Sequence, residues 1–201
     1  ITAIDISAEN IRNAWRKNGN ISEFVSFKTK NVLELDYPEE SFHFIHCSGV
    51  LHHTQSPPEA LKQLYRCLSP GGWIYLGLYG KGGLLYGTAR LARLLAKAVP
   101  YRTAAYCAKR LFSGSVTSYL LDYLFVPYQF HYTETEARQL ISETGLVNVR
   151  RLMNPLPLSS SFWNRFLKPS TYDPTTMLGK MMVGSGWIVL MAQKPPHGKR
   201  T

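Results

Sequence analysis

Residues 41–78 have the pattern of two buried strands joined by a helix, which strongly limits the fold. Residues 42–47 and 73–78 are apolar, β-prone runs with the length of buried strands. Between them, Pro57-Pro58 suits the first turn of a helix, and apolar residues then recur at helical spacing. Pro70-Gly71-Gly72 predicts the helix stop and a turn. A strand–helix–strand unit of this kind predicts a parallel sheet covered by helices.

The functional site is expected where these strands end. Ligands of open α/β sheets bind just beyond the carboxyl ends of the strands. In this unit those ends are Cys47-Ser48-Gly49 and Tyr79-Gly80. Side chains that follow them along the chain are therefore candidates for chemistry.

Three motifs in this stretch resemble class I S-adenosylmethionine-dependent methyltransferases of the type 11 branch. They are Ser41-Phe42-His43 at a strand start, Val50-Leu51-His52-His53 after the fourth strand, and the R-x-L-x-P-G-G run of Arg66 to Gly72 before the fifth strand. The resemblance implies an α/β, Rossmann-like fold with a mostly parallel sheet and an antiparallel last strand. It further implies helices on both faces and a helical cap inserted after the fifth strand.

The same resemblance implies S-adenosyl-L-methionine as the cofactor and assigns residues to it. These are Asp5, Ile6, Asn31, Val32, Cys47 and Ser48. The Asp5 carboxylate, at the end of the second strand, would accept hydrogen bonds from the ribose hydroxyls. Asn31 stands where relatives have Asp, and its carbonyl can still accept from the adenine amine. The alternatives are that Asp5 is a helix-cap carboxylate and Asn31 a turn residue.

His53 and Tyr79 are the candidate catalytic residues implied by the resemblance. Methyl transfer from an activated sulfonium needs mainly proximity and orientation of the acceptor. For a hydroxyl acceptor, His53 is the candidate base. The alternative is that His52 and His53 pack or cap the loop, because adjacent residues point in different directions and match no metal-ligand spacing.

The Gly-rich turn of these relatives has no counterpart in the sequence, because Asp5 already falls at the end of their second strand. The first strand and helix of the fold are therefore expected to be absent, with that strand missing from the middle of the sheet. We expect the chain to be the larger, C-terminal part of a methyltransferase that binds the cofactor poorly by itself.

The segment from Lys81 to Gly114 is basic and contains no acidic residue. Its apolar stripe and neighbouring cations predict a basic amphipathic helix or helix pair. One interpretation is a lid over a small-molecule or lipid-like acceptor of anionic character, with peripheral membrane contact through residues 84–112. The other is a cap helix with a solvated basic face. The aromatic run in 116–132 predicts either core residues or an apolar acceptor pocket.

The organisation predicted from these patterns is a partial core in residues 1–80 and a helical cap in 81–132. Residues 133–193 complete the core around a long insertion at 154–186, and 194–201 form a polar tail. Thr133 and Glu136 have the spacing of a capping box at the start of the last core helix.

Composition narrows the class of protein further. The net charge of +10 suggests anionic partners, but the loop typical of amino-methylating enzymes is absent at Cys47 to Val50, so nucleic acid is not the expected substrate. Three cysteines without a disulfide or zinc spacing indicate a reducing, cytoplasmic setting. Two other classes stay open: a non-catalytic methyltransferase-like binding protein, and an NAD-type oxidoreductase, which the Pro-Gly-Gly turn disfavours. The acceptor and the oligomeric state are left open.

Overall fold

The computed structural model describes residues 1–18, 21, 23–112, 114–152 and 173–196. Its strands are β1 (Thr2–Asp5), β2 (Ser26–Thr29), β3 (Phe42–Ser48), β4 (Leu68–Tyr79), β5 (Val147–Leu152) and β6 (Trp187–Gln193). Its helices are α1 (Ala8–Asn18), α2 (Pro57–Cys67), α3 (Leu84–Ala96), α4 (Tyr101–Leu111), α5 (Gly114–Phe125), α6 (Glu134–Glu143) and α7 (Met177–Val183). A 3₁₀ turn, Leu51–His53, lies between β3 and α2.

The strands of the described residues form two sheets. β1 pairs with β2 in parallel, and the larger sheet has the order β3-β4-β6-β5. β4 is parallel to β3, whereas β6 runs antiparallel to both of its neighbours, β4 and β5. The predicted α/β class, with mostly parallel strands and an antiparallel last strand, is therefore confirmed.

The hydrophobic core surrounds β4. Ile74, Leu76 and Leu78 alternate along this strand and are fully buried, and on β6 Ile188 and Leu190 are fully buried as well. α2 and α6 contribute the apolar faces that their sequences predicted, including Ala60, Leu61, Leu64, Ala137, Leu140 and Ile141. β4 is thereby fixed between strands and helices, and the place where it ends is fixed too.

β3 differs from the buried strand predicted for residues 42–47. Among its residues only Cys47 is buried, and Phe44 is 54% exposed. The reason is that β3 pairs with β4 on one side and has no described strand on the other. A run of apolar residues identifies a strand, but burial also depends on whether a neighbour covers it.

Local signals in the sequence placed most helix ends correctly. α2 begins at Pro57, and α6 begins with a complete capping box in which Thr133 and Glu136 exchange side-chain and backbone hydrogen bonds. The predicted end of α2 at the Pro70-Gly71-Gly72 turn is wrong. The helix ends at Cys67 and residues 68–72 already belong to β4, with an irregular register opposite Phe42 and Phe44.

The predicted cap is helical, consisting of α3, α4 and α5. Of the predicted insertion at 154–186, residues up to 172 lie outside the described part, and α7 forms in the remainder. The last residues of the predicted tail, 197–201, also lie outside it. Gly80 approaches the Gly186 backbone so closely that a Cβ at Gly80 would overlap the Gly186 carbonyl oxygen. This contact holds the start of β6 beside the end of β4.

Candidate active site at the ends of the parallel strands

The parallel strands β3 and β4 end side by side. Ser48 is in register with Gly77, and the Gly49 amide donates a hydrogen bond to the Gly77 carbonyl at 3.1 Å. A Cβ at Gly77 would overlap the Ser48 hydroxyl and lie 3.0 Å from the Trp187 ring. Glycine at this position therefore lets Ser48 and Trp187 approach the end of β4 from the two flanking strands.

Tyr79, at the end of β4, is the centre of a group of aromatic and imidazole rings. Its ring centroid lies between 3.9 and 5.9 Å from those of its neighbours. We call this group the ring cluster, and it consists of Tyr79, His52, His53, Tyr123, His131 and Trp187. The two predicted catalytic residues, His53 and Tyr79, are thus brought together, with 5.3 Å between their ring centroids.

Backbone hydrogen bonds hold the segment 128–132 against this edge of the sheet. The Tyr132 amide donates to the Tyr79 carbonyl at 2.9 Å, and the Phe130 amide donates to the His52 carbonyl at 2.9 Å. The Lys81 amide in turn donates to the Tyr132 carbonyl. His131 is therefore placed beside Tyr79, although nothing in its local sequence marked it as a site residue.

His52 is the most unusual member of the ring cluster. It is fully buried, and neither ring nitrogen has a hydrogen-bond partner among the residues that the structure describes. Burial, together with the nearby His53 and His131, lowers the pKa of His52 from 6.5 to about 2. Buried polar groups in native proteins nearly always have a partner. Because its pKa is so low and its ring is fully buried, His52 is a poor candidate for a general base.

His131 is held neutral for a similar reason. Burial lowers its pKa to about 4, and the charges of His53, Arg93 and Arg90 act in the same direction. The Tyr123 hydroxyl lies 3.4 Å from His131 Nε2. His52 and His131 are therefore both uncharged at neutral pH.

His53 is oriented by a backbone carbonyl. Its Nδ1 lies 3.1 Å from the Tyr128 carbonyl oxygen. Because a carbonyl oxygen only accepts, Nδ1 carries the proton in this contact, and in the neutral ring Nε2 is the nitrogen with the lone pair. Nε2 is thus the nitrogen that can accept a proton, and the role of His53 as a base stays a prediction.

Of the residues assigned to the cofactor from the sequence, four lie at or just after the ends of β1 and β2, whereas Cys47 and Ser48 end β3. Asp5 is in register with Thr29, and its carboxylate accepts hydrogen bonds from the Ser7 amide at 2.7 Å and from the Asn10 side chain at 3.2 Å. Asp5 therefore stabilises the turn into α1, whose first turn is capped by the Ser7 hydroxyl, which accepts from the Asn10 amide at 3.3 Å. Each carboxylate oxygen has two lone pairs, so it can also accept from a ligand. Next to it, Ile6 is 72% exposed.

Asn31, Val32 and Cys47 offer less than the sequence suggested. The Asn31 side-chain oxygen accepts from the Leu33 amide at 3.1 Å, as in a turn. Val32 packs on the hydrophobic core, and the buried Cys47 thiol has its pKa raised to about 12 by desolvation. Val32 and Cys47 can contact a ligand mainly through their backbone. Within the described ranges, no group of three His, Cys, Asp or Glu residues is placed to hold a metal ion.

The family resemblance agrees with a comparison against known protein families. Residues 1–76 match the type 11 methyltransferase domain family. The fold agrees as well: the solved structure of the CurJ carbon methyltransferase superposes with a TM-score of 0.60 at 16% identity, covering 96% of this chain and 41% of that one. The resemblance to class I S-adenosylmethionine-dependent methyltransferases is thereby confirmed.

Two curated relatives match part of the chain. An uncharacterized protein of Synechococcus is 32% identical over 85 residues, which is 41% of this chain and 20% of that protein. The 27-O-demethylrifamycin SV methyltransferase of Amycolatopsis mediterranei is 30% identical over 79 residues, covering 38% of this chain and 29% of the enzyme. The matched part therefore spans less than a third of the length of either relative.

The buried imidazole of His52 predicts a specific acid sensitivity. Below a pH of about 6.5 the unfolded chain binds a proton at this residue, whereas the native protein, whose pKa at His52 is about 2, does not. Acid should therefore favour unfolding by up to about 1.4 kcal/mol per pH unit from this residue. In His52→Phe, which cannot titrate, that part of the loss should disappear.

Urea unfolding of the parent and of His52→Phe at several pH values between about 7 and 4.5 measures this difference. The stability of the variant relative to the parent should rise steadily as the pH falls. A difference that stays constant across this range would show that His52 is not held neutral by burial.

Proposed function

We propose that this chain acts, as part of a longer enzyme, in S-adenosylmethionine-dependent transfer of a methyl group to an O, N or C atom of a small-molecule or lipid-like acceptor. The observation that carries the proposal is the position of two sets of side chains at the strand ends. A carboxylate with an exposed apolar neighbour, Asp5 and Ile6, ends β1, and the ring cluster surrounds the end of β4. The family match of residues 1–76 supports the same reaction.

The residues at the ends of β1 and β2 fit an adenine nucleoside. Asp5 retains acceptor capacity for the ribose hydroxyls, and Ile6 offers an exposed apolar surface to a base. The Asn31 side-chain oxygen, although engaged by Leu33, has a second lone pair for an exocyclic amine. Ser48, at the end of β3, supplies a hydroxyl near the acceptor side of the site.

The topology supports a further strand in the complete enzyme. In the described part of the chain, β1 pairs with β2 alone and β3 with β4 alone, so each has an open edge. Phe44 on β3 is exposed, and a recess of about 460 Å³ lies along β1 and α1, where it includes Asp5, Ile11 and Phe27. Open apolar edges are normally covered in native proteins. One parallel strand between β1 and β3 would pair with both of them and would join the two sheets.

The ring cluster has the properties of an acceptor site. When bound, the cofactor supplies a methyl group that is already activated by its positive sulfur, so the protein must chiefly orient the acceptor and exclude water. The rings of Tyr79, Trp187 and Tyr123 provide apolar walls. For a hydroxyl acceptor, His53 would remove the proton as the acceptor oxygen forms its new bond to carbon.

A non-catalytic binding protein of the same fold is the second candidate. It is favoured by the engagement of Asn31 in its own turn and by the basic cap of α3 and α4. The histidine and tyrosine arrangement at the end of β4 favours catalysis.

We place the reaction in the cytoplasm, which is supported by three cysteines that are all free thiols.

Cofactor binding should depend on the charge of Asp5. In Asp5→Asn the side-chain oxygen can still accept from the Ser7 amide, so the turn into α1 is kept, but the charge that strengthens hydrogen bonds to the ribose is lost. We expect S-adenosylmethionine to bind about tenfold more weakly, or about 1.4 kcal/mol, to the protein expressed from its complete coding sequence.

Isothermal titration calorimetry of the parent, Asp5→Asn and the control Glu9→Gln tests this. Glu9 is exposed in the first turn of α1, so its variant should bind as the parent does. The chain of residues 1–201 alone should bind more weakly than the complete protein, because β1 and β3 lack a common neighbour. Equal affinity of the parent and Asp5→Asn would contradict the cofactor site.

Turnover of a hydroxyl acceptor should depend on His53. Because general-base catalysis contributes about 100-fold or more, His53→Gln should lower kcat by about that factor and leave the KM for the cofactor nearly unchanged. Release of S-adenosylhomocysteine measures the rate. His43→Gln, at an exposed position on β3, serves as the control. Unchanged turnover in His53→Gln would remove this residue from the role of base.

A further inference from the structure

The apolar stripe of α3 faces outward. Leu84, Leu91, Leu94 and Leu95 are 61%, 57%, 63% and 63% exposed, and we call these four residues the leucine stripe. The opposite side of α3, which faces the protein, carries Leu85, Tyr86 and Arg93 as well as Ala89 and Ala96. An ordinary surface helix has its largest apolar residues against the core. α3 departs from this pattern, because four of its leucines face outward and no element among the described residues covers the leucine stripe.

Arg93 fixes this orientation. Its guanidinium donates to the Tyr123 carbonyl at 2.8 Å and also to the Val126 carbonyl. Both contacts are partly buried, and they attach the inner side of α3 to the end of α5. Rotating the helix to bury the leucine stripe would break them and would leave two carbonyl groups without these partners. The exposure of the stripe is therefore a property of the fold.

α7 extends the apolar surface next to α3. It packs against α3, and the backbone at Gly184, just after α7, approaches Gly83 at the start of α3. Met177 and Met181 of this helix are 83% and 63% exposed. Flexible methionine side chains suit contact with a fluid apolar phase.

Cations border the leucine stripe. Arg90, Leu94 and Lys97 follow one another at helical spacings of four and three residues, so both cations lie beside the stripe. Residues 81–121 contain seven Lys and Arg residues and no Asp or Glu. Arg102, Lys109 and Arg110 on α4 are exposed as well. Lys81 pairs with Glu136, and the other cations leave this part of the chain with an excess of positive charge beside the leucine stripe.

We propose that α3, with the adjoining α4, docks on the surface of an anionic lipid bilayer. Leucines that enter the acyl boundary while lysines and arginines contact lipid phosphates are the arrangement of an interfacial helix. Within the described residues no helix is long and apolar enough to cross a membrane. α3 has 13 residues, whereas a spanning helix needs about 20, so α3 would lie along the interface.

The charge of this surface also favours an anionic bilayer over a second copy of the chain or a nucleic acid. A second copy of the chain would bring the same cations against each other across a symmetric interface, which is unfavourable. A nucleic acid would match the charge but would leave the leucine stripe exposed to water. An anionic bilayer satisfies both features.

On its inner side α3 also carries Tyr86, whose ring centroid lies 4.8 Å from that of His131. Docking would thus hold the ring cluster close to the bilayer, whether or not methyl transfer takes place there.

Flotation of the full chain with vesicles tests the proposal. Vesicles of phosphatidylcholine mixed with phosphatidylglycerol should bind the parent about tenfold or more tightly than vesicles of phosphatidylcholine alone, and added salt should weaken the binding. Leu91→Gln/Leu95→Gln removes apolar contacts without changing the charge, and Arg90→Glu/Lys97→Glu reverses two bordering cations. Each double variant should lose about tenfold or more in affinity for the mixed vesicles.

The matched control is Arg12→Glu/Arg16→Glu, which makes the same change in net charge at exposed positions of α1. It should bind the mixed vesicles as the parent does. Equal losses in this control and in Arg90→Glu/Lys97→Glu would mean that only net charge matters, and would overturn the proposal. Equal binding of the parent to both vesicle types would also overturn the proposal. A loss of self-association in Leu91→Gln/Leu95→Gln would overturn it too, because it would show that the leucine stripe contacts a second copy of the chain. Circular dichroism of each variant confirms that the fold is retained.

Discussion

The burial of β4 between a parallel and an antiparallel neighbour is the constraint on which the rest of this structure depends. Its residues Ile74, Leu76 and Leu78 are removed from water completely, and each contributes about 1.5–3 kcal/mol of hydrophobic free energy. Because β4 cannot shift without exposing them, Tyr79 is held at a fixed point beyond the core. The loop after β3, the segment 128–132 and the start of β6 all converge on that point.

Features that depend on neighbours in the sequence could be predicted. The start of α2 at Pro57 and the capping box of Thr133 and Glu136 follow from local backbone chemistry. The adjacency of His53 and Tyr79 followed from the rule that parallel strands end at one edge of the sheet. The family motifs placed Asp5 at the end of its strand, and its carboxylate accepts from the Ser7 amide at the turn into α1.

Features that depend on distant neighbours could not be predicted. The leucine stripe has the spacing of a core-facing helix, and only the bonds of Arg93 to the end of α5 show that it faces outward. His131 and Trp187 join the ring cluster through strand pairing and backbone hydrogen bonds that leave no local signal. The exposure of β3 likewise reflects the lack of a described strand on one of its sides, which its own apolar sequence cannot reveal.

The central claim is that the ends of β1, β2 and β3 together hold a sulfonium nucleoside whose methyl group faces the rings around Tyr79. A crystal structure of the protein from its complete coding sequence, grown with S-adenosylhomocysteine, tests this most directly. The account predicts the ribose hydroxyls on the Asp5 carboxylate, the adenine against Ile6, and the sulfur directed toward Ser48 and Tyr79. A nucleoside bound elsewhere, or Asp5 remote from the Cys47–Gly49 corner, would contradict it.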